Sequence, residues 1–331
     1  MSNNFWAGKN VFVTGGTGFI GTYLVNELVN NGANVFCLTQ EMPKESNFKT
    51  FGLDKKTNLI FGSVLDFNLI RISLEKYEID TVFHLAAQPL VQIALKNPFE
   101  TIQTNFIGTL NILESCRLHK TKRIVIASTD KAYGEQEKLP YEETSPLQGK
   151  YPYDVSKSCA DLISQGYGKT YDMPIAISRF SNVYGGGDLN FDRIVPQTIR
   201  HILFDEPILI RSNGKFIREF FYVKDAAKAY LKLAENIESL GLKGEAFNFG
   251  TDIPVMLLDL VEKIKKVSGK NNAEIKILNT VKAEIKDQFL SSKKAREKLN
   301  WEPEYDLDRG MKETYEWYHK YFEGKIKHHS Y

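Results

Sequence analysis

Tyr153 and Lys157 stand four residues apart, so on a helix both side chains leave one face and can act on a single proton. To take a proton from a hydroxyl, Tyr153 must become a phenolate. With a reference pKa of about 10, only about one tyrosine in a thousand is ionised at neutral pH. Roughly three units of depression, about 4 kcal/mol, must come from the surroundings, and Lys157 one turn away is the nearest source. Asp130 beside Lys131, at the end of the apolar run RIVIAST, adds an acid and a potential base, the set that elimination of water demands. An Asp acting as acid must keep its proton, which requires burial; a Lys acting as base must lose its own, which an ionised neighbour opposes. The two roles fit together only if Asp130 is the protonated partner. The bland alternatives are a solvent-facing Tyr and Lys on an amphipathic helix, and a solvated turn for Asp130 and Lys131.

Near the amino end, Gly15-Gly16-Thr17-Gly18-Phe19-Ile20-Gly21 follows the strand-like NVFVT and leads into a helical pattern from Thr22 to Asn30. Glycines at 16, 18 and 21 fit G-x-G-x-x-G, whose missing side chains let backbone N–H groups approach a pyrophosphate. The setting in a βαβ unit makes this a dinucleotide site rather than a merely tight turn. A nicotinamide dinucleotide held here would add its positive ring to the charges acting on Tyr153. The second strand ends Leu38-Thr39-Gln40 where a ribose-binding Asp or Glu is expected, and only Lys44 lies nearby. NAD is favoured, with NADP left open.

These groups need a scaffold, and the pattern supplies one. Apolar β-branched runs alternate with helical stretches: NVFVTG, ANVFCLT, NLIFGS, TVFHLAA, a helix from Ile102 to Arg117, RIVIAS, a helix from Tyr153 to Tyr171, then PIAISRF. Such alternation is α/β, a Rossmann-type doubly wound parallel sheet, covered on both faces as continuous apolar strands require. Past Gly187 the alternation weakens into short strands (EPILIRS, EIKIL) and helices near Asp192–Leu203 and Asp259–Ser268. The expected division is a dinucleotide-binding domain over residues 1–187 with 220–250 returning to it. A smaller, discontinuous C-terminal substrate-binding lobe covers 188–219 and 251–323, and a flexible tail covers 324–331.

The chain has 331 residues, 42% of them apolar, with a net charge of +2. It can bury a large core, and its charge argues against non-specific nucleic-acid binding. No apolar run approaches the roughly 20 residues that span a bilayer, and MSNNFWAGKN lacks the regions of a signal peptide, so the expected location is the cytoplasm. Cys37, Cys116 and Cys159 are widely separated core thiols with no metal-ligand spacing, and His328 and His329 belong to the tail. No metal is expected.

TGGTGFIG, HLAAQPLV, TNFIGTLNILESC, STDKAYG, YPYDVSK, SRFSNVYGGGD and IREFFYVKD occur in this order over nearly the whole chain. In this the chain resembles the extended short-chain dehydrogenase/reductases, specifically the nucleotide-sugar 4,6-dehydratases. HLAAQPLV, the Asp-Lys pair and GGGD followed by DRIVP look most like CDP-glucose 4,6-dehydratases, whereas IREFFYVKD resembles the dTDP-glucose and UDP-sugar branches. The resemblance implies conversion of a nucleotide hexose, CDP-glucose favoured, to a 4-keto-6-deoxy sugar by transient hydride transfer to bound NAD+. It implies that Thr129 binds the C4 hydroxyl, Asp130 protonates the C6 hydroxyl, Lys131 stands where many members carry a Glu base, and Tyr153 with Lys157 forms the oxidation pair. Gly15, Gly18, Phe19, Ile20, Gly21, Thr39, Ser63, Val64, Leu85, Ala86 and Ala87 would line the cofactor, with Tyr153 and Lys157. Ser63 replaces the family's adenine-binding Asp. Gln88, Asn182, Arg193 and Arg218 would hold the substrate, the last three near its diphosphate. A homodimer would form through Tyr153–Tyr171 and Ile102–Arg117. A 4-epimerase uses the same Tyr and Lys but needs no acid at C6, so Asp130 argues against it, as against a UDP-glucuronate decarboxylase; a non-catalytic dinucleotide-sensing module is the remaining alternative.

Overall fold

The structure is a computed structural model and describes residues 4–280 and 285–326. Apolar runs form the parallel strands β1 (Asn10–Thr14), β2 (Asn34–Thr39), β3 (Asn58–Phe61), β4 (Thr81–His84), β5 (Arg123–Thr129) and β6 (Ile175–Phe180). Three strands follow, β7 (Asn182–Tyr184), β8 (Ile208–Ile210) and β9 (Ile217–Tyr222), before β10 (Glu245–Phe249). β10 pairs in parallel with β6 and completes a seven-stranded sheet in the order β10-β6-β5-β4-β1-β2-β3. Strand order reverses between β1 and β4, the switch point at which a doubly wound sheet opens a crevice beyond its carboxyl ends. β4 is buried throughout, as a strand covered on both faces must be. One core cluster includes Leu24, Leu28, Val125 and Phe247, and another includes Phe12, Val82, Ile112 and Ile177.

The second lobe is built on β9. Its edges pair with β7, with β11 (Pro254–Met256) and with β13 (Asp287–Gln288), while β12 (Ile275–Ile277) pairs only with β8. Its cluster contains Ile199, Ile210, Leu260, Ile264, Met311 and Tyr318. Of residues 220–250, assigned from the sequence to the large sheet, Phe220–Tyr222 belong instead to β9. The helix Val223–Asn236 then packs on the helix Phe19–Asn30 and on β5 and β6.

Two other segments differ from the sequence reading. The first helix begins at Phe19 rather than Thr22, because Gly18 is extended and caps it. The helix expected from Ile102 runs longer, as Pro98–Ile102, a π turn at Gln103–Ile107, and Gly108–His119. π turns often serve sites, and here it presents Asn105 to the helix that carries Tyr153. Asn105 Nδ2 donates to Ser156 Oγ at 2.9 Å, and its Oδ1 accepts from the Gln88 backbone N–H at 2.7 Å. The final helix continues to Ile326, three residues into the expected tail; residues 327–331, with His328 and His329, lie outside the described residues. Among the described residues no helix is long and apolar enough to cross a membrane, and no three His, Cys, Asp or Glu side chains gather as metal ligands.

Candidate active site

A cavity of about 1200 Å³ opens at the carboxyl ends of the large sheet and is closed on its far side by the second lobe. At its amino-terminal end the glycine turn does two jobs. Gly15 has φ +70°, and a Cβ there would lie 2.7 Å from the Ala86 nitrogen; a Cβ on Gly21 would lie 2.0 Å from the Gly15 oxygen. Only glycine lets this turn press against the strand beside it. Gly15, Gly18, Phe19, Ile20 and Gly21 line the cavity with Val64, Leu85, Ala86 and Ala87. The helix that starts here has no acidic residue in its first turn, so its amino end is open to an anion. These features fit a dinucleotide pyrophosphate. Thr39 also lines the cavity; its hydroxyl donates to the Glu41 oxygen at 2.6 Å and lies 3.2 Å from the Thr17 hydroxyl, a neutral pair where an acid was expected. Ser63 departs from its assigned place. Gly62 and Val64 form the wall, while Ser63 Oγ accepts from the Leu65 N–H at 3.2 Å and from Gln40 at 3.4 Å, capping a turn.

The helix Pro152–Tyr171 opens with Pro at its first turn and is bound to the sheet from within. Arg179 on β6 makes a bidentate pair with Asp161, 2.8 Å on both arms, and Ser158 Oγ donates to the Ala132 carbonyl at 2.8 Å. These contacts aim Tyr153 and Lys157 into the cavity. Lys157 Nζ donates to the Ala127 carbonyl at 2.6 Å, and burial lowers its pKa to about 8 against the opposing pull of Asp161. Burial pushes the Tyr153 phenol well above the ordinary range, and Asp154 and Asp130 add to the shift. The charge pulling it down is that of Arg193, helped by a hydrogen bond with Thr129.

Thr129 ends β5, and Asp130 and Lys131 begin the short 3-10 turn Asp130–Tyr133. All three line the cavity. Asp130 is 2% exposed, so it is not the solvated turn of the bland alternative. Its Oδ1 accepts from the Thr129 hydroxyl at 3.1 Å. Burial raises its pKa; Lys131, the Gln288 amide, Thr129 and Arg218 pull the other way. A raised pKa is the condition set by the sequence for Asp130 to carry a proton.

Asn182, Arg193 and Arg218 reach the wall, but each is already engaged. Asn182 Nδ2 donates to the Glu219 carbonyl at 3.2 Å, and Arg193 pairs with Asp188 at 2.9 Å. Buried Arg218 donates to the carbonyls of Ile217, Ile285 and Lys286. Gln88 is not among the residues that line the cavity. Its amide donates to the Leu90 carbonyl at 3.1 Å and the Thr101 hydroxyl at 3.0 Å and accepts from the Leu90 N–H at 2.6 Å, so it braces its own loop instead of the cavity.

A model of the GDP-mannose 4,6 dehydratase family matches residues 12–314. The chain belongs to this family. It is thus an enzyme of the 4,6-dehydratase kind, within the extended short-chain dehydrogenase/reductases. CDP-glucose 4,6-dehydratase of Salmonella typhimurium is 31% identical over 98% of this chain and 94% of its own. Among solved structures, dTDP-glucose 4,6-dehydratase of Bacillus anthracis in complex with NAD has a TM-score of 0.85 at 25% identity, covering 96% of this chain and 99% of its own. UDP-glucose 4-epimerase of Thermotoga maritima with UDP-glucose has a TM-score of 0.85 at 28% identity, covering 95% and 99%.

Three residues of this family member were missed from sequence. Asp154, adjacent to Tyr153, lines the cavity, and burial raises its pKa to about 6 while Lys131 opposes the shift. Its place inside YPYDVSK was the available signal. Arg211 joins the wall from the second lobe, paired with Asp192 at 2.5 Å. Gln288, fully buried on β13, accepts a hydrogen bond from Lys131 Nζ at 3.2 Å. No local pattern marks either of the last two.

Proposed function

We propose that the protein is an NAD-dependent nucleotide-sugar 4,6-dehydratase whose substrate is CDP-glucose. One observation carries the dehydratase reading: a buried Asp130, whose pKa burial raises, shares a cavity with Lys131 and with the Tyr153–Lys157 pair. CDP-glucose is supported by HLAAQPLV, the Asp-Lys pair and GGGD with DRIVP, and by the likeness to the Salmonella protein. The glycine turn, Ala86 and Ala87 would hold the dinucleotide, with Thr39 near a ribose.

NAD+, when bound, supplies a hydride acceptor for C4 and returns the hydride to C6. Tyr153 takes the C4 hydroxyl proton, which Thr129 helps to orient; Arg193 already opposes the raised phenol pKa, and the positive charge of a bound NAD+ would add to that pull. The resulting C4 ketone acidifies the C5–H bond. Lys131 removes the C5 proton while Asp130 gives its proton to the C6 hydroxyl; the C6–O bond breaks and water leaves. Lys131 then returns a proton to C5 as C6 is reduced, so one water is lost and no net redox change remains. Arg193, Arg218 and Asn182 would turn toward the diphosphate, exchanging present partners for it.

The test is incubation with NAD+ and separate CDP-, dTDP-, UDP- and GDP-hexoses, with mass spectrometry for loss of one water. Loss with CDP-glucose supports the reading, and loss with another nucleotide alone overturns the substrate. Asp130→Asn should slow water loss by on the order of 100-fold while sparing C4 oxidation. The second reading, a 4-epimerase, is favoured by the likeness to the Thermotoga structure, and an isomerised sugar with no water lost would establish it. A homodimer through the helices Pro152–Tyr171 and Pro98–His119 is supported by exposed Phe99, Ile102 and Leu162; a solution mass decides it.

A further inference from the structure

Gln197 is 7% exposed and lines the cavity from the helix Ile194–Leu203. Its backbone N–H donates to the Arg193 carbonyl at 3.0 Å, so the two side chains stand one turn apart on one face. Among the described residues its side-chain amide has no hydrogen-bond partner, whereas Asn182, Arg193 and Arg218 on the same wall are all engaged. Neither its oxygen nor its nitrogen is among the unpaired atoms sealed in the interior, so both ends of the amide open to the cavity. Buried amides are ordinarily paired, and one left open on a cavity wall points to what the cavity takes.

An amide presents a donor and an acceptor side by side. A diphosphate has only acceptors, so it would satisfy the nitrogen and repel the oxygen. In the proposed reaction the hexose lies at Asp130, Lys131 and Tyr153, and the diphosphate lies at Arg193. The helix then carries Gln197 one turn further into the second lobe, where it packs on β8. A nucleotide sugar laid along these positions brings its base next, and Pro196, Leu209 and Ile210 add apolar wall for a flat ring. Cytosine offers its N4 amino group beside N3, so Gln197 Oε1 would accept from N4 while Nε2 donates to N3, the bidentate match of an amide with a base edge. Turned over, the same amide would meet the N3–H and O4 of uracil. We propose that Gln197 is a specificity-determining residue that reads the hydrogen-bonding edge of the substrate's pyrimidine base. The inference rests on the nucleotide-sugar reading of the cavity and deepens it, because it names the group that tells a nucleotide from a bare diphosphate.

Gln197→Leu keeps most of the bulk and removes both ends of the amide. Calorimetry in the presence of NAD+ measures the binding of CDP, UDP, GDP and inorganic pyrophosphate. The wild type should bind CDP or UDP at least about tenfold more tightly than pyrophosphate. The variant should lose about 10- to 100-fold toward that nucleotide, the range of one bidentate base contact, and stay within about threefold for pyrophosphate. With the nucleotide hexose that the wild type dehydrates, KM should rise by the same factor while kcat stays within about threefold, the mark of binding lost equally from ground and transition states. Equal losses for nucleotide and pyrophosphate would reduce Gln197 to a structural part of the wall and overturn the proposal. Unchanged nucleotide binding, or a wild-type preference for GDP, would overturn it too. The binding measurements need no turnover, so a wild type that removes water from no nucleotide hexose would sink the dehydratase reading without touching this one.

Discussion

The two halves of the cavity are held in different ways. Tyr153 and Lys157 sit on one helix pinned to one sheet: Asp161 to Arg179, Ser158 to Ala132, Ser156 to Asn105, all within the large domain. Lys131, next to Asp130, instead reaches Gln288, 157 residues further on, in a second sheet built around β9. The helix that carries Tyr153 and Lys157 is therefore anchored once the large sheet forms, although Arg193 of the second lobe still acts on Tyr153, whereas the contact between Lys131 and Gln288 is made only when the lobes meet. In the proposed reaction, the step shared by epimerases and dehydratases falls to Tyr153 and Lys157, and the step that separates them falls to Asp130 and Lys131.

The largest effect should come from the half that carries Tyr153. Tyr153→Phe removes the first proton acceptor and should lower nicotinamide reduction by on the order of 1000-fold, with no water lost, because elimination needs the ketone. Water loss without prior cofactor reduction would break the ordering of the halves. Next comes the anchor. Asp161→Asn leaves the Arg179 charge buried and should cost about 3–5 kcal/mol of unfolding free energy by denaturant titration. A loss below about 1 kcal/mol would mean that the helix is held by other contacts. The smallest effect lies beside Tyr153, in the first turn of the same helix. Asp154 has its folded pKa raised to about 6, so its contribution to stability is fully present below the unfolded carboxylate value and is lost as pH rises through the folded one. Asp154→Asn should consequently stabilise the protein by about 1–2 kcal/mol near pH 8 and by little near pH 4, read as melting temperature at each pH. A variant equally shifted at both values would remove titration as the cause.

The same division governs what the sequence disclosed. The large sheet was legible because its strands are continuous apolar runs and its turns carry glycine, both local signals. Tyr153, Lys157, Asp130 and Lys131 were legible for the same reason, since spacing of four, or adjacency, is information within one element. Gln88 was misplaced because the sequence put it beside cofactor-lining Ala86 and Ala87 but could not show its amide engaged by Leu90 and Thr101. Gln288 was invisible because a contact across lobes leaves no periodicity behind, and Arg211 because only the folding of the second lobe brings it to the cavity wall. The return of the chain was located too early at Phe220, since β9 is as apolar as a strand of the large sheet, and only its partners reveal where it belongs.

The late arrival of β10 has a consequence for the nascent chain. β6 is paired with β5 on one side, but its other edge is covered by residues that emerge only after β7, β8, β9 and a long helix have been synthesised. During that interval a fully buried strand presents an unpaired row of backbone donors and acceptors, the kind of edge that recruits strands from other molecules. The non-local closure that finishes the large sheet is thus the step most exposed to intermolecular capture.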